Sequence, residues 1–158
     1  MGKRKQVDPA EKKLFGQLNR TNPRVLDGLF QDAHEEAFSC INCLECANCC
    51  TTTGPLLTDT DIKRLSKHLR IKEVDFVQEY VLEDEDGDQV FKSMPCPFLG
   101  ADNFCSVYDH RPKACKDYPH TDRVKQHQIL ALHQKNKDIC PAVEHVLKAL
   151  EAKVMPSN

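Results

Sequence analysis

Cysteine is the residue type with the most chemical potential in this chain, and it is clustered. The 158 residues include nine cysteines, and five of them fall in the stretch Cys40 to Cys50, CINCLECANCC. The other four are Cys96, Cys105, Cys115 and Cys140. Thiolates are soft ligands that suit zinc and iron–sulfur clusters. Cysteines at two-residue intervals, as at Cys43, Cys46 and Cys49, can aim their sulfurs at one centre while the backbone between them donates N–H bonds to sulfur. Cys40 extends this spacing by one step. Cys50 differs, because adjacent side chains on an extended backbone point to opposite sides. The Cys49–Cys50 pair therefore suggests two centres, or one ligand and one supporting thiol.

Other cysteine chemistries fit less well. An odd cysteine count with no export signal in the N-terminal MGKRKQVDPAEKK disfavours a disulfide framework and favours reduced thiols in a cytoplasm. A two-CxxC zinc site needs a second CxxC about 15 to 20 residues away, whereas Cys96, Cys105 and Cys115 are nine and ten positions apart. Cys40, Cys43, Cys46 and Cys50 match the spacing of a bacterial ferredoxin run, but Thr51 stands where that run has proline, and no second run follows. Cys115 is expected in the first turn of a helix beside Arg111, Lys113 and Lys116, and Cys140 just before a helix that starts at Pro141. Both settings should lower a thiol pKa. His120 is the best-placed histidine for a ligand. Arg111, Asp109 and Asp117 read as a structural salt-bridge set, and Tyr108 and Tyr118 as supports behind the ligands.

Composition bounds the function. Apolar residues make up 40% and charged residues 29%, and the net charge is −2. That is globular composition with no run long enough to span a membrane. It also argues against a protein built to neutralise nucleic-acid phosphates. Neither a nucleic acid nor a membrane is an expected partner, and no protein partner can be named.

The elements that must position the cysteines can be read in order. Residues 1 to 8 form a flexible basic start. Asp8 caps a helix from Pro9 or Ala10 to about Leu18. Asn22-Pro23 opens a helix over 23–38 that delivers the chain to the cysteine stretch. The TTTGPLLT segment after Cys50 reads as a loop whose N–H groups are available to sulfur. Thr58 or Thr60 opens a helix with a stripe of Ile62, Leu65 and Leu69, and a short helix follows over Glu73 to Tyr80. VLEDEDGDQVFK predicts a β-hairpin turning at Asp86-Gly87. Its acidic tip lacks the twelve-residue calcium loop ending in glutamate. Gly100 to Asn103 is a turn, Pro112 starts the short helix of Cys115, and a helix is expected from Thr121 or Asp122 through about His133. The last helix carries Val143, Val146, Leu147 and Leu150 as its stripe.

Taken together, CLECANCC, CPFL at Cys96 to Leu99, CSVYDHRPKAC from Cys105 to Cys115, DYP at Asp117 to Pro119 and CP at Cys140-Pro141 resemble the YkgJ-like CxxCxxCC family of zinc- or iron-chelating proteins. The resemblance covers about residues 43 to 141. It implies a small metal-binding domain and selects Cys43, Cys46, Cys49, Cys50, Cys96, Cys105, Cys115 and Cys140 as metal ligands, leaving Cys40 outside the set. Some relatives are associated with protein lysine N-methylation, and nothing here matches a methyl-donor domain. The expected fold is mainly α: a small irregular helical domain with one β-hairpin, organised around cysteine-ligated metal. It is one domain over 1–158, with an N-terminal helical extension at 1–39, the cysteine-cluster region at 40–141 and a C-terminal helix at 142–154. The expected cofactor is an iron–sulfur cluster or zinc. The expected function is metal binding, with an iron–sulfur redox or group-transfer enzyme component, or a metal-delivery or redox-sensing protein, as alternatives. No catalytic constellation is visible.

Overall fold

The computed structural model describes residues 6–155; residues 1–5 of the basic start lie outside the described residues. In chain order the elements are α1 (Pro9–Arg20), α2 (Pro23–Cys40), α3 (Cys43–Cys46), α4 (Asn48–Thr52), α5 (Asp59–Leu69), α6 (Glu73–Tyr80), β1 (Val81–Glu83), β2 (Gln89–Phe91), α7 (Lys113–Asp117), α8 (Leu130–Asn136) and α9 (Pro141–Val154). The helical class and the single antiparallel hairpin agree with the sequence pattern. The chain divides into two compact units, one built from residues 1–41 and 119–158 and the other from 42–118.

In the first unit, α2 packs along α9, and α1 also lies against α9. Start signals work as the sequence predicts. Asp8 accepts from the Ala10 N–H, and Asn22 accepts from the Arg24 and Val25 N–H groups, each ahead of a proline in the first turn. Helical spacing then puts Leu14 and Leu18, Leu26, Phe30, Ala33 and Ala37, and Val143, Val146 and Leu150 into the core. Burying each large side chain stabilises the unit by about 1.5–3 kcal/mol before chain entropy is counted. The helix expected from 121 to 133 does not form. Lys125 takes a left-handed conformation, φ 61°, before a 3-10 turn at Gln126–Gln128, and the helix is α8 instead. Asp27 of α2 accounts for the difference, since its carboxylate accepts from the Lys125 and Gln126 N–H groups at 2.9 and 2.8 Å. The buried Gln126 amide also donates to the His120 and Arg123 carbonyls, so tertiary bonds replace a helical ladder.

The second unit is built on Leu57, Ile62, Leu65, Phe76, Val81, Phe91, Phe98 and Val107, with Cys96 and Cys105 packed against this core. Phe98 is its aromatic centre, with ring centroids 5.0 Å from Tyr80, 5.5 Å from Phe91 and 6.3 Å from Phe76. Helix α5 starts with a capping box of Thr58 and Asp61 and ends at Arg70 in the left-handed region. The hairpin pairs Val81 with Phe91, Leu82 with Val90 and Glu83 with Gln89. Its tip turns at Gly87, φ 82°, where a side chain would be strained. Among the described residues no helix is long and apolar enough to cross a membrane.

One buried base makes the first unit pH-sensitive. His133 is 0% exposed and stacks on Phe30 at 4.9 Å. Its Nε2 lies 2.6 Å from Gln126 Oε1 and donates to it, because the Gln126 amide nitrogen is spent on carbonyls. Its buried Nδ1 has no hydrogen-bond partner, so a proton there would meet no acceptor. Burial, helped by the charges of His120 and Arg123, pushes the ring down from 6.5 to about 4. Above pH 6.5 the ring is neutral folded and unfolded, and stability is full. Below it the unfolded chain binds a proton that the folded ring refuses, so stability falls until about pH 4. That gap corresponds to ~3 kcal/mol. Urea unfolding should therefore show stability dropping from pH 6.5 to 4, with His133→Leu flattening the slope in that window. An unchanged slope in the variant would contradict the assignment.

Candidate metal centre

The second unit gathers seven of the predicted ligands. Cys43 and Cys46 frame the single-turn helix α3, capped by Asn42, whose side chain accepts from the Leu44 N–H. Ala47 in the left-handed region, φ 51°, then turns the chain into α4, which carries Cys49 and Cys50. The pair therefore sits on helical backbone, not extended backbone. A hydrogen bond from Cys49 to the Cys50 sulfur favours the Cys50 thiolate. Helix α4 also consumes the start of the expected loop. The Thr51 and Thr53 N–H groups go to the Ala47 and Cys49 carbonyls at 3.2 and 2.8 Å, not to sulfur.

The N–H donors to sulfur come from elsewhere. The Phe98 N–H acts on the Cys96 sulfur and the Val107 N–H on the Cys105 sulfur, each favouring the thiolate, while the Leu99 N–H donates to the Cys96 carbonyl at 3.0 Å. In both cases the residue two positions on is a buried core residue, which fixes the N–H that faces the sulfur. The two sulfur-bearing turns are stitched together by Ser106 N–H to the Phe98 carbonyl, 2.9 Å, and Gly100 N–H to the Phe104 carbonyl, 2.8 Å. A Cβ at Gly100 would stand 2.7 Å from Asp102 Oδ1 and 3.2 Å from the Phe104 carbonyl, so a side chain there would displace the Asp102 carboxylate and press on the stitched turn. A 2.7 Å bond from the Cys96 N–H to the Cys50 carbonyl ties the upstream cysteines to this pair of turns.

Helix α7 brings Cys115, and a buried carboxylate sets where α7 begins. Asp61 is 1% exposed. It accepts from Thr58 N–H and hydroxyl, from Arg64 at 2.6 Å and from the Lys113 N–H at 3.0 Å. Burial works against its charge, but these donors outweigh burial and hold the carboxyl below its ordinary value. Arg64 then reaches across to the Arg111 carbonyl at 2.7 Å and the His110 carbonyl at 3.4 Å. The loop from His110 to Lys113 is thus pinned to α5.

Electrostatics group four thiols. Burial and the neighbouring Cys96, Cys50 and Cys105 push Cys115 up to about 12 despite Arg111. Helix position and lysines had suggested a lowered value; desolvation and like charges outweigh them. Burial also raises Cys96 and Cys105, against their N–H donors, with Cys50 adding to the rise in each. Cys50 moves the other way, to about 7, because Cys49 donates to it and Arg111 lies near, against burial. Arg111 itself packs over the Tyr108 ring at 3.7 Å. It does not join Asp117 in a salt bridge, since Asp117 pairs with Lys113.

Cys140 belongs to the first unit, buried at the N-cap of α9. His120 is also in that unit, in the left-handed region at φ 66°. Cys40 ends α2, exposed, with its thiol directed to the Ala37 carbonyl at 3.3 Å. As the side chains stand, no three His, Cys, Asp or Glu among the described residues are grouped so as to hold a metal ion. The donor chemistry nevertheless fits a thiolate-bound metal, with half-buried sulfurs acting on one another, N–H donors aimed at two of them and a guanidinium beside them.

Sequence reading missed the Phe98 and Val107 donors and the Asp61–Arg64 pin. The first had a signal, because Cys96 and Cys105 are each followed two residues later by a large apolar residue. The second did not, as its partners are 46 to 52 residues apart. Removing the carboxylate should show its weight. Asp61→Ala leaves Arg64 and the Lys113 N–H without their acceptor and should lower unfolding stability by about 3 kcal/mol. Urea denaturation together with faster hydrogen exchange at the Lys113 amide checks this. A midpoint like that of the unaltered protein would contradict it.

Comparison with known proteins finds a family for this region. Residues 42–141 match the family described as "CxxCxxCC: Putative zinc- or iron-chelating domain". No curated protein and no solved structure matches the chain. The match spans most of the sequence, including every cysteine of the second unit, and the chain belongs to the CxxCxxCC family of zinc- or iron-chelating domains.

Proposed function

We propose that this protein is a metal-binding module in which cysteine thiolates hold an iron–sulfur cluster or zinc. The ligand pool is Cys43, Cys46, Cys49, Cys50, Cys96, Cys105, Cys115 and Cys140, and the first centre uses Cys50, Cys96, Cys105 and Cys115. One observation carries the reading. Cys96 and Cys105 pack against one apolar core, the Cys50 carbonyl accepts from the Cys96 N–H at 2.7 Å, and the charge of Cys50, Cys96 and Cys105 adds to the burial that raises Cys115. Left without a cation, such a group is costly to ionise, as the rise of Cys115 to about 12 shows. A metal reverses that cost, because it binds thiolates and releases their protons. Four cysteines satisfy tetrahedral zinc and equally an iron–sulfur cluster. The cluster is the first expectation, since the close upstream spacing suits its corners. The odd cysteine count and the absence of a visible export signal favour reduced thiols and support a cytoplasmic setting for this reading, with no nucleic acid or membrane as partner.

Anaerobic purification of the full chain, followed by metal analysis, acid-labile sulfide and visible absorbance, tests the reading. Stoichiometric iron with sulfide, or stoichiometric zinc without colour, is expected. Cys96→Ser, Cys105→Ser and Cys115→Ser should each lose most of the metal, whereas Cys40→Ser should keep it. A metal-free unaltered protein, or full retention in the three serine variants, would overturn the proposal.

A further inference from the structure

Arg111 is the charged side chain in the second unit that the ligand set leaves unexplained. Its guanidinium lies 3.7 Å over the Tyr108 ring, and its Nε is buried with no hydrogen-bond partner. Among the described residues no carboxylate forms an ion pair with it. Yet its backbone is held firmly, because Arg64, anchored on the buried Asp61, donates to the Arg111 carbonyl. A half-buried cation without a carboxylate is costly unless some other negative charge answers it. The segment that carries Arg111 joins two candidate ligands, with the Tyr108 N–H donating to the Cys105 carbonyl at 3.3 Å and the Cys115 N–H to the Pro112 carbonyl at 3.0 Å, and the Arg111 charge favours the ionised forms of Cys50, Cys105 and Cys115.

We propose that Arg111 is a positioning residue for the metal centre, a fixed counter-charge that offsets the excess negative charge of the thiolate set once metal is bound. This rests on the thiolate-centre reading and deepens it. Four thiolates around a dication leave two negative charges in a half-buried site, and a guanidinium held beside them removes one. The pieces have separate tasks. Tyr108 supports the face of the guanidinium and screens it from water. The Asp61–Arg64 pin fixes the loop, so that the cation need not be reorganised when metal enters. The free Nε–H leaves a donor for a sulfur acceptor.

The test uses the full chain, stripped of metal and titrated with Zn2+ against a chelator of known affinity. Thiolate sets take up zinc whichever group they hold in the cell. Arg111→Met keeps much of the side-chain volume and removes the charge, and should weaken zinc binding 10- to 100-fold, the scale of residues that support metal ligands. Arg111→Lys restores a cation without the planar fork and should recover at least threefold of that loss. Urea unfolding of the metal-free proteins separates this from a packing role. The proposal expects Arg111→Met to be no less stable than the unaltered protein when metal-free, because an uncompensated cation has gone. Zinc binding by Arg111→Met within twofold of the unaltered protein would overturn it, as would Arg111→Lys binding no better than Arg111→Met. An unaltered protein that takes up no zinc would overturn the thiolate-centre reading itself, and this proposal with it.

Discussion

The candidate centre depends on a backbone N–H held against a cysteine sulfur by a buried neighbour. Phe98 and Val107 are core residues, and their side chains cannot move without opening the apolar cluster of the second unit. Each therefore fixes its own N–H where the sulfur of Cys96 or Cys105 can accept it. Packing energy from the core is converted into electrostatic support for a thiolate. The same logic explains why the cysteines are spread over so long a segment. Cys96 and Cys105 come from turns stapled to the core, Cys50 from α4 through a backbone bond to Cys96, and Cys115 from a helix whose start is set by Asp61.

Charge is the second constraint, and it is balanced locally. Asp61 is buried but answered by four donors, including Arg64. Arg64 passes that anchoring on to the loop of Arg111. The thiols are less well answered. Cys50 is drawn down by Cys49 and Arg111, while burial and mutual proximity hold Cys115 in its protonated form. The set is thus arranged to gain most from a bound cation, the property expected of a chelating domain.

Much of this was legible in the sequence. Caps and prolines marked α1, α2, α5 and α9 because those signals act within one helical turn. The hairpin at Asp86-Gly87 was local in the same way. The family resemblance, which supplied the candidate ligands, covered nearly the segment that matches. What could not be read was long-range. Nothing near Lys125 announces that Asp27, 98 residues earlier, takes its N–H and prevents the expected helix from 121 to 133. Helix position and nearby lysines pointed to a lowered Cys115, and only the folded core reveals the burial that reverses the direction. The Cys49–Cys50 pair was read on extended backbone, whereas α4 is helical there.

The central claim is that thiolate sulfur surrounds the bound metal. X-ray absorption at the K edge of the metal carried by the anaerobically isolated full chain tests that most directly. The account predicts a nearest shell made of sulfur, at about 2.3 Å if the metal is zinc. A nearest shell of only nitrogen and oxygen, at about 2.0–2.2 Å, would contradict it.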